Sequence, residues 1–286
     1  MEEKKIAVIG GDKRLAYIVP QLAHRGFEVS CYATEPIPEK SGISYCFAGS
    51  FAEAAEGAEA IVCGIPFEKN NHVYADMAMP DLEIEVFFES LYRGQKLFGG
   101  VLSKKVKEFC KEKAIFCYDY MEDESLAIFN AVATAEGSIL AALREHPTNL
   151  HGSRCLVLGY GKCGRVLADK LQGLAAKVTV CARKQGVLAC VKAAGLEALD
   201  FESLARKIGD FEYIFNTIPS KVLTEEMLKR TQKTGLIVDI ATGGGVDFEA
   251  AGKWGVKALL CPGLPGKYAP KSSAIGMAEF VMKNME

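Results

Sequence analysis

The residues with the clearest chemistry are Gly159-Tyr160-Gly161-Lys162-Cys163-Gly164, a G-x-G-x-x-G run directly after the apolar stretch Cys155-Leu156-Val157-Leu158. Each glycine has a task in this setting. Gly159 permits a tight turn, Gly161 lets backbone approach a pyrophosphate, and Gly164 lets the next helix, Arg165 to Leu174, pack closely on the strand. The amides and dipole at that helix's N-terminus then stabilise the phosphate charge. A glycine turn without a ligand is the plain alternative, which the strand before and the helix after it disfavour. About 20 residues further on, an enzyme that uses NAD places Asp or Glu against the ribose hydroxyls. Here the strand Lys177 to Cys181 runs into Ala182-Arg183-Lys184. Two cations in place of an acid suit a 2′-phosphate, so the sequence predicts NADP over NAD; a solvated basic turn is the alternative.

Ligands of open α/β sheets lie outside the carboxyl ends of strands. Asn216-Thr217-Ile218-Pro219, at the end of the strand Tyr213 to Asn216, is therefore expected to border the cofactor. Asp239-Ile240-Ala241 and Pro262-Gly263-Leu264-Pro265-Gly266 hold the corresponding ends of the next two strands, where turn chemistry alone is the competing account. A second glycine turn, Gly10-Gly11-Asp12-Lys13-Arg14, follows a strand and opens a helix. It lacks the third glycine, and Asp12 would cap the helix while repelling a pyrophosphate, so no second dinucleotide site is expected. Arg14 is a candidate to face a cleft and bind a substrate carboxylate, or else a surface arginine.

These residues need a sheet to hold them, and the hydrophobic pattern supplies one. Short apolar strands alternate with amphipathic helices, the pattern of layered α/β units with parallel sheets. In the first half the strands are Lys5 to Ile9, Phe27 to Tyr32, Ile43 to Phe47, Glu59 to Gly64, Lys96 to Phe98 and Ala114 to Tyr118. Pro66 to Gln95 interrupts them as a long excursion with one helix, of a length that is usually functional or mobile. Leu126 to Arg144 reads as a long helix between units. The second half has strands at Arg154 to Leu158, Lys177 to Cys181, Tyr213 to Asn216, Leu236 to Ile240 and Val256 to Leu260, then a last helix from Ser272. The expected fold is α/β: two Rossmann-like, doubly wound parallel-sheet domains joined by a long helix. Their bounds are 1–128, a linking helix over 129–145, and an NADP-binding domain over 146–271, with 272–286 returning to the first domain.

Composition narrows the function further. Hydrophobic residues make up 49% and charged residues 24% of 286, which describes an ordinary globular chain. A formal charge of −2 argues against a general nucleic-acid binder. No apolar run reaches the roughly 18 residues that span a bilayer, and Met1-Glu2-Glu3-Lys4-Lys5 runs straight into a strand, leaving no room for a signal peptide. Ten cysteines occur without a Cys-x-x-Cys pair, so the expectation is buried, reduced thiols in a cytoplasmic protein with no metal.

Several stretches taken together resemble the dipicolinate synthase A-subunit family of spore-forming bacteria. They are Ile6 to Asp12 with Arg14, Ala135-Glu136-Gly137, His151-Gly152-Ser153, Leu156 to Gly164, Asn216 to Ser220, and Pro262 to Gly266 followed by Ala269-Pro270-Lys271. The resemblance covers nearly the whole chain and is poorest between Pro66 and Gly100. It implies a layout like that of 2-hydroxyacid dehydrogenases, with the reaction of dipicolinic acid biosynthesis in sporulation. In that reaction a dihydropyridine dicarboxylate derived from hydroxytetrahydrodipicolinate is oxidised to dipicolinate, with the hydride passing to NADP⁺. It also implies a partner, the flavoprotein-like B-subunit of dipicolinate synthase; a homo-oligomer is expected, with no nucleic acid or membrane partner. For such a substrate Arg14 and Lys271 are the candidate cations, Asn130 and Thr134 the neutral donors, and Glu136 or His72 the proton acceptor. Two alternatives stand beside this: a dehydrogenase of another small 2-hydroxy or imine acid, and a non-catalytic NADP-sensing subunit.

Overall fold

The computed structural model describes residues 4–38, 44–76 and 79–285. They divide into two compact units, residues 1–129 with 269–286 and residues 130–268. The first unit runs β1 (Lys5–Ile9), α1 (Lys13–Ala23), β2 (Glu28–Tyr32), β3 (Tyr45–Phe47), α2 (Phe51–Ala55) and β4 (Ala60–Val62). A hairpin of β5 (Glu68–Lys69) and β6 (His72–Val73) follows, then α3 (Ile84–Glu89), β7 (Lys96–Gly99), α4 (Lys104–Glu112), β8 (Phe116–Asp119) and α5 (Glu124–Glu145). Six of the strands form a parallel sheet in the order β3-β2-β1-β4-β7-β8.

A parallel strand is covered on both faces, which is why β1 reads Lys-Ile-Ala-Val-Ile without polar alternation. Ile6 and Val8 feed one core, with Leu15, Ile18 and Leu22 of α1. Ala7 and Ile9 feed the other, with Phe67, Phe87 and Phe88. The Phe87 ring stacks on Phe51 with centroids 4.4 Å apart and meets Phe67 edge-on at 5.7 Å. Burying each such ring contributes on the order of 2–3 kcal/mol.

The described part of the excursion after Pro66, residues 66–76 and 79–95, is thus ordered. Where the sequence suggests a long loop with one helix, the structure has a hairpin, a single 3-10 turn at Pro80–Leu82 and α3. Val73, Leu82, Ile84, Phe87 and Phe88 then pack into the core. Its tip carries Asn70 and Asn71 at φ +54° and +62°, the left-handed pair that a tight two-residue hairpin requires. The predicted third strand begins at Ile43, outside the described residues; its described part starts at Tyr45.

Helix α5 has 22 residues and a mean hydropathy of 1.6 over its most apolar window, so among the described residues one helix is long and apolar enough by composition to cross a membrane. The expectation that no such segment exists misses it, because Asn130, Thr134 and Glu136 interrupt the apolar run. Over half of that window is buried in the protein: Leu126 lies in the first unit's core, Ala135 and Ala142 in the second's.

The second unit continues with β9 (Arg154–Leu158), α6 (Lys162–Gly173), β10 (Lys177–Cys181), α7 (Gln185–Ala193), β11 (Glu197–Leu199), α8 (Phe201–Lys207) and β12 (Tyr213–Asn216). Then come α9 (Glu225–Arg230), β13 (Leu236–Asp239), α10 (Phe248–Lys253), β14 (Lys257–Leu260) and α11 (Leu264–Tyr268), before α12 (Pro270–Met285) rejoins the first unit. Its parallel sheet has the order β11-β10-β9-β12-β13-β14. The edge strand β11 is absent from the sequence reading, since three residues are too few to show a period. The two doubly wound α/β units expected from the hydrophobic pattern are present. Of the ten cysteines, all free, five are buried, while Cys46 and Cys190 are exposed, so the expectation of uniform burial holds only in part.

Candidate functional site

In the second sheet the chain leaves β9 toward β10 on one side and returns as β12 on the other. Where connections diverge this way, a crevice opens beyond the carboxyl ends of the two central strands. Leu158 lies in register with Asn216 of β12 and Cys181 of β10, so the glycine run starts at that point. Gly159 has φ +94°, and a Cβ there would meet Thr217 Oγ1 at 2.6 Å and Ile218 at 3.0 Å. Both backbone and space therefore demand glycine. A Cβ on Gly164, one turn into α6, would run into the Gly159 carbonyl oxygen. Gly161, the N-cap of α6, is different: a Cβ there would touch nothing within 4 Å.

The open space at Gly161 faces a helix end with unused donors. Among the described residues, the amides of Lys162, Cys163 and Gly164 have no backbone acceptor, as the first turn of a helix dictates. Lys162 is exposed, and the Arg165 guanidinium lies 5.2 Å from the Tyr160 ring centroid while donating to the Tyr160 carbonyl at 3.2 Å. The cradle fits a pyrophosphate: free N–H donors, flanking cations, and no side chain filling the gap. Cys163 is half-buried and its thiol is pushed up by burial, which makes it packing rather than a nucleophile.

At the end of β10, Cys181 and Ala182 are buried, while Arg183 and Lys184 are exposed and have no side-chain partner among the described residues. A basic turn with no acid to neutralise it stands where an NAD enzyme carries a carboxylate. Across the crevice, Thr217 is half-buried and its hydroxyl donates to the Leu158 carbonyl at 2.8 Å; Ile218 is half-buried and Pro219 exposed.

Asn216 requires a correction. It is fully buried; its Nδ2 donates to Asp239 Oδ1 at 2.9 Å and to the Ile218 carbonyl at 3.1 Å, and its Oδ1 accepts from the Ile218 amide. Every polar atom of the side chain is engaged inward, so Asn216 shapes the 216–219 turn rather than offering its amide to a ligand. Asp239, also fully buried, accepts besides from the amides of Ala241 at 3.1 Å and of Gly245 and Val246. Sequence reading marks Asp239 as a strand-end residue that either touches the cofactor or substrate or serves turn chemistry alone. Its partner Asn216, in register one strand away, is the one signal that the two polar residues belong together.

The first sheet has the same strand order, yet its glycine turn is filled. The Gly11 amide donates to the Tyr74 carbonyl at 2.6 Å, and a Cβ on Gly10 would meet that same oxygen at 2.5 Å. The backbone after the β5–β6 hairpin thus fills the space in front of this glycine turn. Arg14 is the second correction: it is 4% exposed, chelates Asp12 through Nε and Nη2 at 2.8–3.2 Å, and donates to the Ile65 carbonyl. Asp12, which also caps α1 by accepting from the Arg14 amide, neutralises the guanidinium, so Arg14 is not a cation available to a substrate. Lys13 beside it is exposed. Nearby, a hydrogen bond shared with Asp76 raises the Glu35 carboxyl above its ordinary range.

The remaining candidates are spread over both units. Thr134 donates to the Asn130 carbonyl one turn back at 2.9 Å, and Asn130 keeps a buried Oδ1 without a partner. Glu136, on α5, is exposed and pairs with Lys170 of α6 at 2.8 Å. Lys271 is exposed near the start of α12. His72 is tied to the Asn70 carbonyl on the hairpin at 3.0 Å.

Residues 5–121 match the N-terminal domain of the dipicolinate synthase A-subunit, and residues 129–253 match the NAD binding domain of the D-isomer specific 2-hydroxyacid dehydrogenases. Over 297 aligned residues, 98% of this chain and 95% of the relative, the chain is 29% identical to the dipicolinate synthase A-subunit of Bacillus subtilis. Along nearly its whole length the chain is thus similar to the dipicolinate synthase A-subunit family. Two crystal structures of that family superpose along its length. The A-subunit from Bacillus halodurans gives a TM-score of 0.85 at 28% identity, covering 99% of this chain and 97% of that one. Its counterpart from Bacillus subtilis gives 0.86 at 28%, covering 100% and 96%. The turn from Gly159 to Gly164 lies within the stretch that matches the NAD binding domain.

Proposed function

We propose that the chain is the NADP-dependent oxidoreductase component of dipicolinate synthase, oxidising a dihydropyridine dicarboxylate derived from hydroxytetrahydrodipicolinate to dipicolinate. The observation that carries the reading is the open cradle at Gly161, in a chain similar to this family along nearly its whole length, with Arg183 and Lys184 exposed beyond the next strand and without a side-chain partner among the described residues. When bound, NADP⁺ supplies the hydride acceptor. The balance is simple: the ring loses a hydride from carbon and one proton, and becomes an aromatic pyridine. Because aromatisation drives the step, the protein has to orient the ring, exclude water and take the proton.

The chain's residues support these tasks unequally. The α6 amides and Lys162 would hold the pyrophosphate, Arg183 and Lys184 the 2′-phosphate, and Thr217 to Pro219 the wall of the crevice. Lys271 is the cation proposed for a substrate carboxylate, with Asn130 and Thr134 as donors; Arg14 is left out because Asp12 neutralises it. Glu136 is proposed as the proton acceptor, in competition with its ion pair to Lys170.

That competition, and the neutralised Arg14, favour one second reading: an NADP-binding subunit whose chemistry is completed by the flavoprotein-like one. The test is to mix the purified chain with NADP⁺ and freshly made hydroxytetrahydrodipicolinate, with and without the second subunit. Reduced cofactor and dipicolinate appearing in equal amounts from the chain alone support the proposal. Turnover only with the second subunit supports the alternative, and dipicolinate without reduced cofactor refutes both.

A further inference from the structure

A second site lies on the Rossmann unit, on a face of the sheet and reaching the amino ends of β9 and β10, the end away from the glycine turn. A cavity of about 630 Å³ is lined there by Arg154, Lys177, Thr179 and Glu197 on three adjacent strands, and by Lys192, Lys207 and Asp210 around them. Leu196, Leu199 and Phe211 give it an apolar part. The volume is that of a small-molecule site.

Its charge is out of keeping with the chain. Acids outnumber bases overall, 36 to 34, whereas here four cations meet two acids. The two acids are already engaged. Asp210 stands 4.0 Å from Arg154, and Glu197 accepts from the Thr179 hydroxyl, itself buried, at 3.0 Å. Lys177, Lys192 and Lys207 have no ion-pair partner among the described residues. Moreover, Lys177 lies in register with Arg154, so two basic residues stand side by side on neighbouring strands, whose backbones run about 5 Å apart. Like charges so placed repel, and a concave wall focuses their field on whatever enters. A multivalent anion removes both costs.

We infer that this groove binds a compact polyanion, carrying at least two carboxylate or phosphate groups on a body small enough for the cavity, at a site separate from the cofactor cradle. Phosphate and carboxylate sources share this chemistry, and the experiment distinguishes them. Calorimetric titrations use the whole protein saturated with NADP, so that the cradle is closed to the probes. Inorganic pyrophosphate and succinate, a dicarboxylate without the ring of the proposed product, are titrated separately, at low and at moderate salt.

The expected result is one site for at least one probe, with affinity falling as salt rises, and weakened at least tenfold in Lys177→Ala/Lys207→Ala. Both positions are exposed, and affinity for NADP should be unchanged in that variant. Binding of pyrophosphate alone assigns a phosphate ligand; binding of the dicarboxylate alone assigns a carboxylate ligand. The inference is overturned if neither probe binds at millimolar concentration, or if binding survives the double substitution. It is equally overturned if only a hexaglutamate peptide binds, since that describes a docking surface for acidic protein.

Discussion

Two glycines of one motif ought to fail in different ways. In Gly164→Ala the new methyl would press on the Gly159 carbonyl oxygen, well inside contact distance. Neither backbone can yield without moving α6 off β9, and overpacking of this kind costs about 1–3 kcal/mol. A helix interior would repay ~1 kcal/mol for Gly→Ala, but Gly164 is only the third residue of α6, so little of that gain is available. The net expectation is a loss of about 1–2 kcal/mol in unfolding free energy without any ligand. Gly161→Ala meets nothing within 4 Å and replaces an N-cap glycine by alanine, a loss of less than about 1 kcal/mol. Its methyl stands where a pyrophosphate must approach, so the damage falls on binding. One lost charge-assisted hydrogen bond is worth about 1.5–3 kcal/mol, or roughly a 10- to 100-fold rise in Kd. Urea unfolding of the two apo variants and calorimetric titration with NADP separate the effects. If Gly161→Ala binds NADP like the wild type, or the two variants are equally stable, the cradle lies elsewhere.

Three further outcomes follow from the geometry. Glu136→Gln is expected to keep NADP affinity while lowering turnover at least tenfold, roughly the scale of general acid–base catalysis; unchanged turnover leaves Glu136 with only its Lys170 pair. Hydrogen bonds from Lys105 and Asn71 hold the Glu85 carboxyl down to about 2, from an ordinary value of 4.5. A depressed carboxylate stabilises the fold fully above the unfolded value and loses that contribution as pH falls toward the folded one. The stability difference between wild type and Glu85→Gln is therefore expected at pH 7 and should shrink between about pH 4.5 and 2, a small effect because the pair is exposed. Finally, a thiol reagent should label Cys46 and Cys190 of the native protein first. Burial pushes Cys31, Cys155 and Cys181 up to about 12, so their labelling should await unfolding; early modification of these three contradicts the packing described.

What could be read from sequence was what a single period or motif encodes. Continuous apolar strands such as Cys155 to Leu158 announce burial on both faces, and the glycine spacing after them announces its turn. The hairpin after Pro66 was hidden because each strand has two residues, although Asn70-Asn71 is a turn signal. Polar residues near strand ends were the least legible. Arg14 and Asn216 look like ligand-binding groups, and only the fold reveals that Asp12 and Asp239 already satisfy them. Whether a polar side chain is engaged depends on a neighbour that sequence distance does not identify: two residues away in one case, 23 in the other.

Arg183 and Lys184 are proposed to read the nucleotide's adenosine end, and on that assignment the choice of cofactor rests. Titrating wild type and Arg183→Ala/Lys184→Ala with NADP and with NAD, at one fixed ionic strength, tests it directly. The wild type should bind NADP at least roughly tenfold more tightly than NAD, and the variant should lose that preference while its affinity for NAD stays within about threefold, since only the 2′-phosphate contacts are removed. Equal or tighter binding of NAD by the wild type would contradict the assignment.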